Sequence, residues 1–244
     1  MSDIQGQVAL ITGASRGIGE ALARAFRGAG MRLVLSARGS EALQTLAHEL
    51  DPGGREVLAV PGNVGDSAYC ERLIAEAERA FGAIDVLVNN AGLAIGGKIA
   101  ETRLEDVELM VRVNFLGAYY CTRFALPGMI ARRRGHVVMM DSVAGIKYTP
   151  GASIYSATKF ALRALAEALR NEVQSYNVKV TAIYPGVTLT TYFDPSNPKA
   201  LPPPMPLEAM LTSEDVAAAT LSVLGLPDRV SVNTVILRPT IQER

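Results

Sequence analysis

The chain carries no net charge, because 24 Lys and Arg residues balance 24 Asp and Glu residues. Without a long-range field to collect polyanions, neither a nucleic acid nor an anionic membrane is expected as a partner. Charge neutrality also leaves little repulsion between copies of the chain, so self-association is permitted. Cysteine is scarce, with only Cys70 and Cys121 present. Each falls inside an expected helix, and buried free thiols in a reducing compartment are expected rather than a disulfide. The two histidines, His48 and His136, are far apart and lack ligand spacing. They read as surface or structural residues, and no metal site is expected. No apolar run approaches the ~20 residues of a membrane helix. The opening Met1-Ser2-Asp3-Ile4-Gln5-Gly6 has no basic start and no apolar core of a secretory signal. A soluble, cytoplasmic protein is expected.

What the chain does have is apolar material, 49% of 244 residues, enough for one substantial core. Short apolar runs alternate with amphipathic stretches. Strands are expected at 7–12, 32–36, 56–60, 84–89, 136–141, 178–184 and 232–237. Helices are expected at 17–28, 40–50, 66–81, 103–131, 153–176 and about 212–224. Strands without polar alternation, separated by helices, indicate a parallel sheet covered on both faces. The expected architecture is a single α/β domain over 1–244: a doubly wound, Rossmann-type parallel sheet of about seven strands. One segment, 189–211, breaks the pattern with Pro195, Pro198, Pro202, Pro203, Pro204 and Pro206. It also carries Tyr192, Phe193, Met205 and Met210. Leaving the sheet at its carboxyl edge with apolar side chains, it is expected to be a lid over a substrate.

The first strand runs into Thr12-Gly13-Ala14-Ser15-Arg16-Gly17-Ile18-Gly19. Gly13 would turn the chain, Gly17 would let a pyrophosphate approach the backbone, and Gly19 would allow close helix–strand contact. The helix that follows points free N–H groups at the phosphate, with Ser15, Arg16 and Ile18 lining the loop. At the end of the second strand, where an acid would bind the ribose hydroxyls of NAD(H), the chain reads Ser36-Ala37-Arg38. A missing carboxylate and an added Arg38, helped by Arg16, favour the 2′-phosphate of NADP(H) over NAD(H).

Tyr155 and Lys159 stand four residues apart at the start of an expected helix, and so share one face. That spacing is cheap, since chance alone yields such a pair in about one chain in six of this length. Its company gives it meaning. Ser142 closes the strand 136–141, Asn114 lies in the preceding helix, Asn89-Asn90-Ala91-Gly92 follows the strand 84–89, and Pro185-Gly186 follows the strand 178–184. Each sits where an open α/β sheet binds its ligand. A phenol ionises near ~10, so one working at neutral pH needs about 4 kcal/mol of preference for the phenolate. One ammonium at ~4 Å supplies about that much at an effective dielectric of ~20.

In order and spacing, TGASRGIG, NNAG, Asn114, Ser142, Y-x-x-x-K and P-G resemble the short-chain dehydrogenase/reductase family over nearly the whole chain. The resemblance implies Tyr155 as acid/base, Ser142 on the substrate oxygen, and Lys159 on the nicotinamide ribose. It implies a water held by Asn114 that links Lys159 to solvent. Asn63-Val64 resembles the adenine-side contact, Asn90, Ala91 and Gly92 the cofactor wall, and Thr188 and Thr190 the carboxamide contacts after Pro185-Gly186. The substrate would be a small carbonyl or alcohol, its specificity set by 94–98, 143–154 and the 189–211 segment. Relatives commonly form tetramers through the two long helices, so a homo-oligomer (tetramer or dimer) is expected. Two departures stand out. Thr188 replaces a frequent aliphatic residue, and the tail Thr234–Thr240 lacks the glycine pair of many acyl-carrier-protein reductases, resembling instead the branch of clavulanate and 3-hydroxy acid dehydrogenases. A 3-oxoacyl carrier-protein reductase, with Arg132-Arg133-Arg134 docking its acidic partner, is one alternative. A non-catalytic nucleotide-binding protein is the other.

Overall fold

The computed structural model describes residues 4–148, 151–190, 193 and 203–242. Seven strands form one parallel sheet: β1 (Val8–Thr12), β2 (Arg32–Ala37), β3 (Val57–Pro61), β4 (Val86–Asn89), β5 (Gly135–Met140), β6 (Val178–Pro185) and β7 (Thr234–Leu237). Their order is β3-β2-β1-β4-β5-β6-β7. The order reverses between β1 and β4, whose following loops part to opposite faces and open a crevice.

The inner strands β1, β2 and β4 are nearly continuous Val, Leu, Ile and Ala because both of their faces are covered. On one face lie α1 (Gly17–Gly28), α2 (Ser40–Leu50) and α7 (Ser213–Leu224), with Leu22, Phe26, Leu43 and Val216 buried against Ile11, Leu33 and Leu35. α7 starts at a reciprocal capping box between Thr212 and Asp215. On the other face lie α3 (Ser67–Phe81), the long helix 104–132 and α6 (Ser153–Val173), with Leu73, Cys121, Leu162 and Leu169 buried against Leu10, Leu87 and Val180. Each fully buried side chain of this size contributes about 1.5–3 kcal/mol.

The long helix is not uniform. It comprises α4 (Leu104–Met110), a π-helical turn (Val111–Leu116) and α5 (Gly117–Arg132). The sequence pattern does not distinguish the wider turn from α-helix. The turn carries Asn114, whose side-chain hydrogen bonds are described below. The last strand is shorter than the expected 232–237. Val232 and Asn233 offer their carbonyls to Thr181 and Ala182 before the regular ladder begins, as befits an edge strand.

His48 is exposed and His136 is buried, its Nε2 2.8 Å from Thr181 Oγ1. Cys70 and Cys121 are buried free thiols whose sulfurs lie 3.6 Å apart. Among the described residues, no helix is long and apolar enough to cross a membrane.

Candidate active site

The glycine loop fills the crevice beside β1. Gly13 has φ +66°, and a Cβ there would stand 2.8 Å from Ala91 Cα. At Gly19 a Cβ would lie 2.1 Å from the Gly13 carbonyl oxygen, so only glycine lets α1 begin this close to the strand. Gly17 is also left-handed, at φ +56°. Arg16, the residue preceding α1, makes no side-chain cap. The first N–H groups of a 12-residue helix are therefore without a side-chain acceptor and suit a phosphate. The loop fits the dinucleotide expected of it, with Ser15 and Ile18 half-buried and Arg16 exposed on its rim.

Thr12 ties this loop to the next, a role the sequence pattern missed. Its hydroxyl accepts from Asn90 N and Ala91 N, both at 3.0 Å. Asn90 Nδ2 in turn donates to Thr12 O at 2.9 Å and Gly13 O at 3.2 Å. A threonine at the end of a buried strand reads as ordinary β-propensity, so nothing marked it. Gly92 faces both Asn114 and Lys159: a Cβ there would lie 3.5 Å from Asn114 Oδ1 and 3.9 Å from Lys159 Nζ.

Asn114 is buried, and its side chain forms two bonds with one peptide unit of the loop after β4. Oδ1 accepts from Leu93 N at 2.9 Å and Nδ2 donates to Leu93 O at 2.8 Å. Nδ2 also reaches Thr158 Oγ1 at 3.1 Å, and Thr158 Oγ1 donates to Tyr155 O at 2.7 Å. Asn114 thus clamps the cofactor-side loop to the first turn of α6.

Tyr155 and Lys159 do share a face of α6, with Lys159 Nζ 5.8 Å from the Tyr155 ring centroid. Tyr155 is half-buried. Lys159 is buried, and its ammonium donates to Met140 O at 2.8 Å. Ser142 begins a 3-10 turn (Val143–Gly145) that packs on α6, and its Oγ accepts from Ala144 N at 3.1 Å. The residue between Met140 and Ser142 was also missed. Asp141 is 4% exposed, and burial pushes its carboxyl up to about 7 against the opposing pull of Lys159. An acid next to a candidate serine invites no notice in a sequence, because its burial is decided by helix α6 far along the chain.

The remaining expected residues are more dispersed. Arg38 is exposed just past β2, and among the described residues no carboxylate pairs with it or with Arg16. Asn63 Oδ1 accepts from Gly65 N, and Val64 is buried against Gly117 of the long helix. Pro185 ends β6, and Gly186 packs where a Cβ would meet Gln242 Oε1 at 2.2 Å. Thr188 bridges Leu211, with Leu189 N donating to Leu211 O and Leu211 N to Val187 O. The two ends of the 189–211 segment are thereby pinned together. Thr190 folds back to the glycine loop, its Cγ2 3.6 Å from where a Gly17 Cβ would stand. Tyr192, Pro195, Pro198 and Pro202 lie outside the described residues. Arg132, Arg133 and Arg134 precede β5 at the amino edge of the sheet, opposite the site. There Arg132 and Arg133 donate to the carbonyls of Ile84 and Ser175.

The comparisons agree with this architecture. The family model described as short chain dehydrogenase matches residues 7–200. An uncharacterized oxidoreductase of Staphylococcus aureus is 34% identical over 98% of this chain and 100% of its own length. The alcohol dehydrogenase of Thermococcus sibiricus, solved with 5-hydroxy-NADP, superposes with a TM-score of 0.88 at 31% identity, covering 98% of this chain and 99% of that one. A short-chain dehydrogenase/reductase of Burkholderia phymatum, solved with NAD, gives 0.85 at 28% identity over 97% and 90%. The chain belongs to the short-chain dehydrogenase family of oxidoreductases, and its fold is the Rossmann-type fold of that family.

Proposed function

We propose that this chain is an NADP(H)-dependent oxidoreductase interconverting an alcohol and a carbonyl group in a small molecule, with Tyr155 as the general acid/base. The observation that carries the reading is the buried ammonium of Lys159 held beside the Tyr155 ring, next to a glycine loop built for a dinucleotide. The bound dinucleotide supplies a hydride in reduction and takes one in oxidation. Ser142 holds the substrate oxygen. Tyr155 gives its proton to that oxygen in reduction and takes it back in oxidation. Lys159 binds the nicotinamide ribose and favours the phenolate by its charge. Asn114 fixes the loop that carries Gly92, and holds the water through which Lys159 exchanges protons with solvent. Asn63, Val64, Asn90 and Ala91 line the adenine and ribose side, and Pro185, Gly186, Thr188 and Thr190 the carboxamide side. The segment 189–211 closes over the substrate from its pinned ends. A panel of alcohols and ketones followed by NADPH absorbance tests the reading, and no turnover across hydroxy acids, aliphatic alcohols and their ketones counts against it.

The cofactor preference rests on this chain's own residues, since solved relatives hold 5-hydroxy-NADP in one case and NAD in another. Arg38, exposed just past β2 and unpaired with any described carboxylate, supports the reading of a 2′-phosphate. Arg38→Asp is expected to weaken NADPH binding by about 10- to 100-fold while NADH binding holds or improves. Fluorescence titration of both dinucleotides reads this, and an equal loss for the two would remove the preference.

We also infer a cytoplasmic homo-oligomer, tetramer or dimer. Val111, Tyr119 and Phe160 are exposed apolar side chains on the long helix and on α6. Sedimentation at micromolar concentration should show the oligomer, and a monomer there would exclude it. Docking of an acidic carrier protein is disfavoured, because the Arg132–Arg134 run lies at the wrong edge of the sheet.

A further inference from the structure

Asp141 continues the β5 ladder, its N–H donating to Ile183 O at 2.8 Å, before the chain turns at Ser142. Its Oδ1 accepts from Ser142 N at 2.8 Å. The same oxygen lies 2.6 Å from the point where a Gly145 Cβ would stand, and Lys159 O lies 3.1 Å from that point. The carboxyl is therefore wedged between the serine turn and the turn of α6 that carries Lys159. Among the described residues, Oδ2 has no hydrogen-bond partner. The Lys159 ammonium binds the carbonyl of Met140, the residue immediately before Asp141.

Few charges surround this carboxyl. From α6 it feels Lys159 and Arg163, both of which favour its ionised form. From β6 it faces the phenol of Tyr184, which burial and the Asp141 charge push up to about 12, and around which Arg163, Arg170 and Glu167 are arrayed. The serine turn, Val143–Gly145, adds no titratable group. Burial outweighs the two cations, so the carboxyl is pushed up to about 7.

We propose that Asp141 is a positioning residue that acts through Lys159: its carboxylate offsets the field of the ammonium on the Tyr155 phenol, and its protonation restores that field. The role rests on Tyr155 being the acid/base group proposed above. Ser142 stays in place through the change, because its N–H is held by Asp141 Oδ1 in either state. The ammonium keeps its bond to Met140 O, so what varies is charge rather than geometry. Lys159 alone would make the phenol most acidic, and the carboxylate beside it moderates this as the pH rises.

The test is the pH profile of alcohol oxidation with NADP+, using the fastest substrate among 2-butanol, cyclohexanol and 3-hydroxybutyrate. Asp141→Asn keeps the acceptor for Ser142 N and removes the charge. Its acid limb is expected to run ahead of the wild type only above about 7, where the wild-type carboxylate is ionised, and there by at most about one pH unit, the effect of one nearby charge. Towards the foot of the limb, where the wild-type carboxyl is itself protonated, the two profiles should converge, and the plateau and the KM for NADP+ should be unchanged. A profile that superimposes on the wild type would overturn the proposal. Should the variant not fold, the wild type itself decides. Two groups titrating against each other give a limb shallower than a single ionisation, and a limb of unit slope would overturn the proposal equally. Tyr155→Phe separates the two readings. If it is inactive and Asp141→Asn changes nothing, only the Asp141 role falls. If it stays active, the assignment of Tyr155 falls and the Asp141 role with it.

Discussion

Tyr155→Phe is expected to lower turnover by about 10²- to 10⁴-fold, the range that a positioned general acid/base supplies. NADPH binding should be spared, because the glycine loop, the Thr12–Asn90 tie and Arg38 are all remote from the phenol oxygen. The change removes one oxygen from a half-buried ring and leaves the packing of α6 in place, so the thermal midpoint should move little. Lys159→Met is a weaker test. It also removes the ammonium that donates to Met140 O, a buried contact between α6 and the end of β5. Phenylalanine at 155 therefore isolates proton transfer from structure. Single-turnover rates with saturating NADPH read it directly, and a rate within twofold of the wild type would take Tyr155 out of the chemistry.

The second large effect concerns stability. Asp141 ionises at an ordinary value of 3.8 when unfolded and at about 7 when folded. Between those values the folded chain holds one more proton than the unfolded chain. The stability that Asp141 contributes is complete below 3.8 and is lost as the pH rises through about 7. His136 behaves in the opposite sense. Burial lowers it from 6.5 to about 3, with Lys179 adding to the shift, so its contribution is complete above 6.5 and is lost as the pH falls towards 3. Each slope is about 1.4 kcal/mol per pH unit, and the two oppose one another across their shared window.

Between about pH 4 and 6.5 these two residues therefore cancel in the wild type. Asp141→Asn should uncover the His136 slope, its stability relative to the wild type rising by about 3 kcal/mol across the window. His136→Gln should do the reverse. Urea unfolding of the three proteins at half-unit pH steps measures this. A constant difference between Asp141→Asn and the wild type would show that the carboxyl is not buried as described.

Much of this arrangement is legible in the sequence. Buried strands announce themselves because a parallel sheet covered on both faces needs unbroken apolar runs, as in Val8–Thr12 and Arg32–Ala37. The glycine loop is legible because the left-handed φ of Gly13 and Gly17 and the missing Cβ of Gly19 are demands on residue type. The Tyr155–Lys159 pairing is legible because four residues are one helical turn. What escaped reading depends on contacts between distant segments. The π-helical turn carries Asn114, which binds a peptide unit 21 residues away. Thr12 looked like a strand residue, yet it joins two loops 78 residues apart.

The amino-acid order alone determined the sheet, the two helical layers and the candidate groups at the carboxyl edge, because periodicity and glycine placement are local properties of a chain. Tertiary structure alone decided the environments of those groups: that Lys159 is buried on a backbone carbonyl, that the Arg132–Arg134 run faces away from the site, and that Asp141 loses its water beneath α6. Desolvation is a sum over everything that surrounds an atom, and most of what surrounds Asp141 comes from residues far from it in the chain.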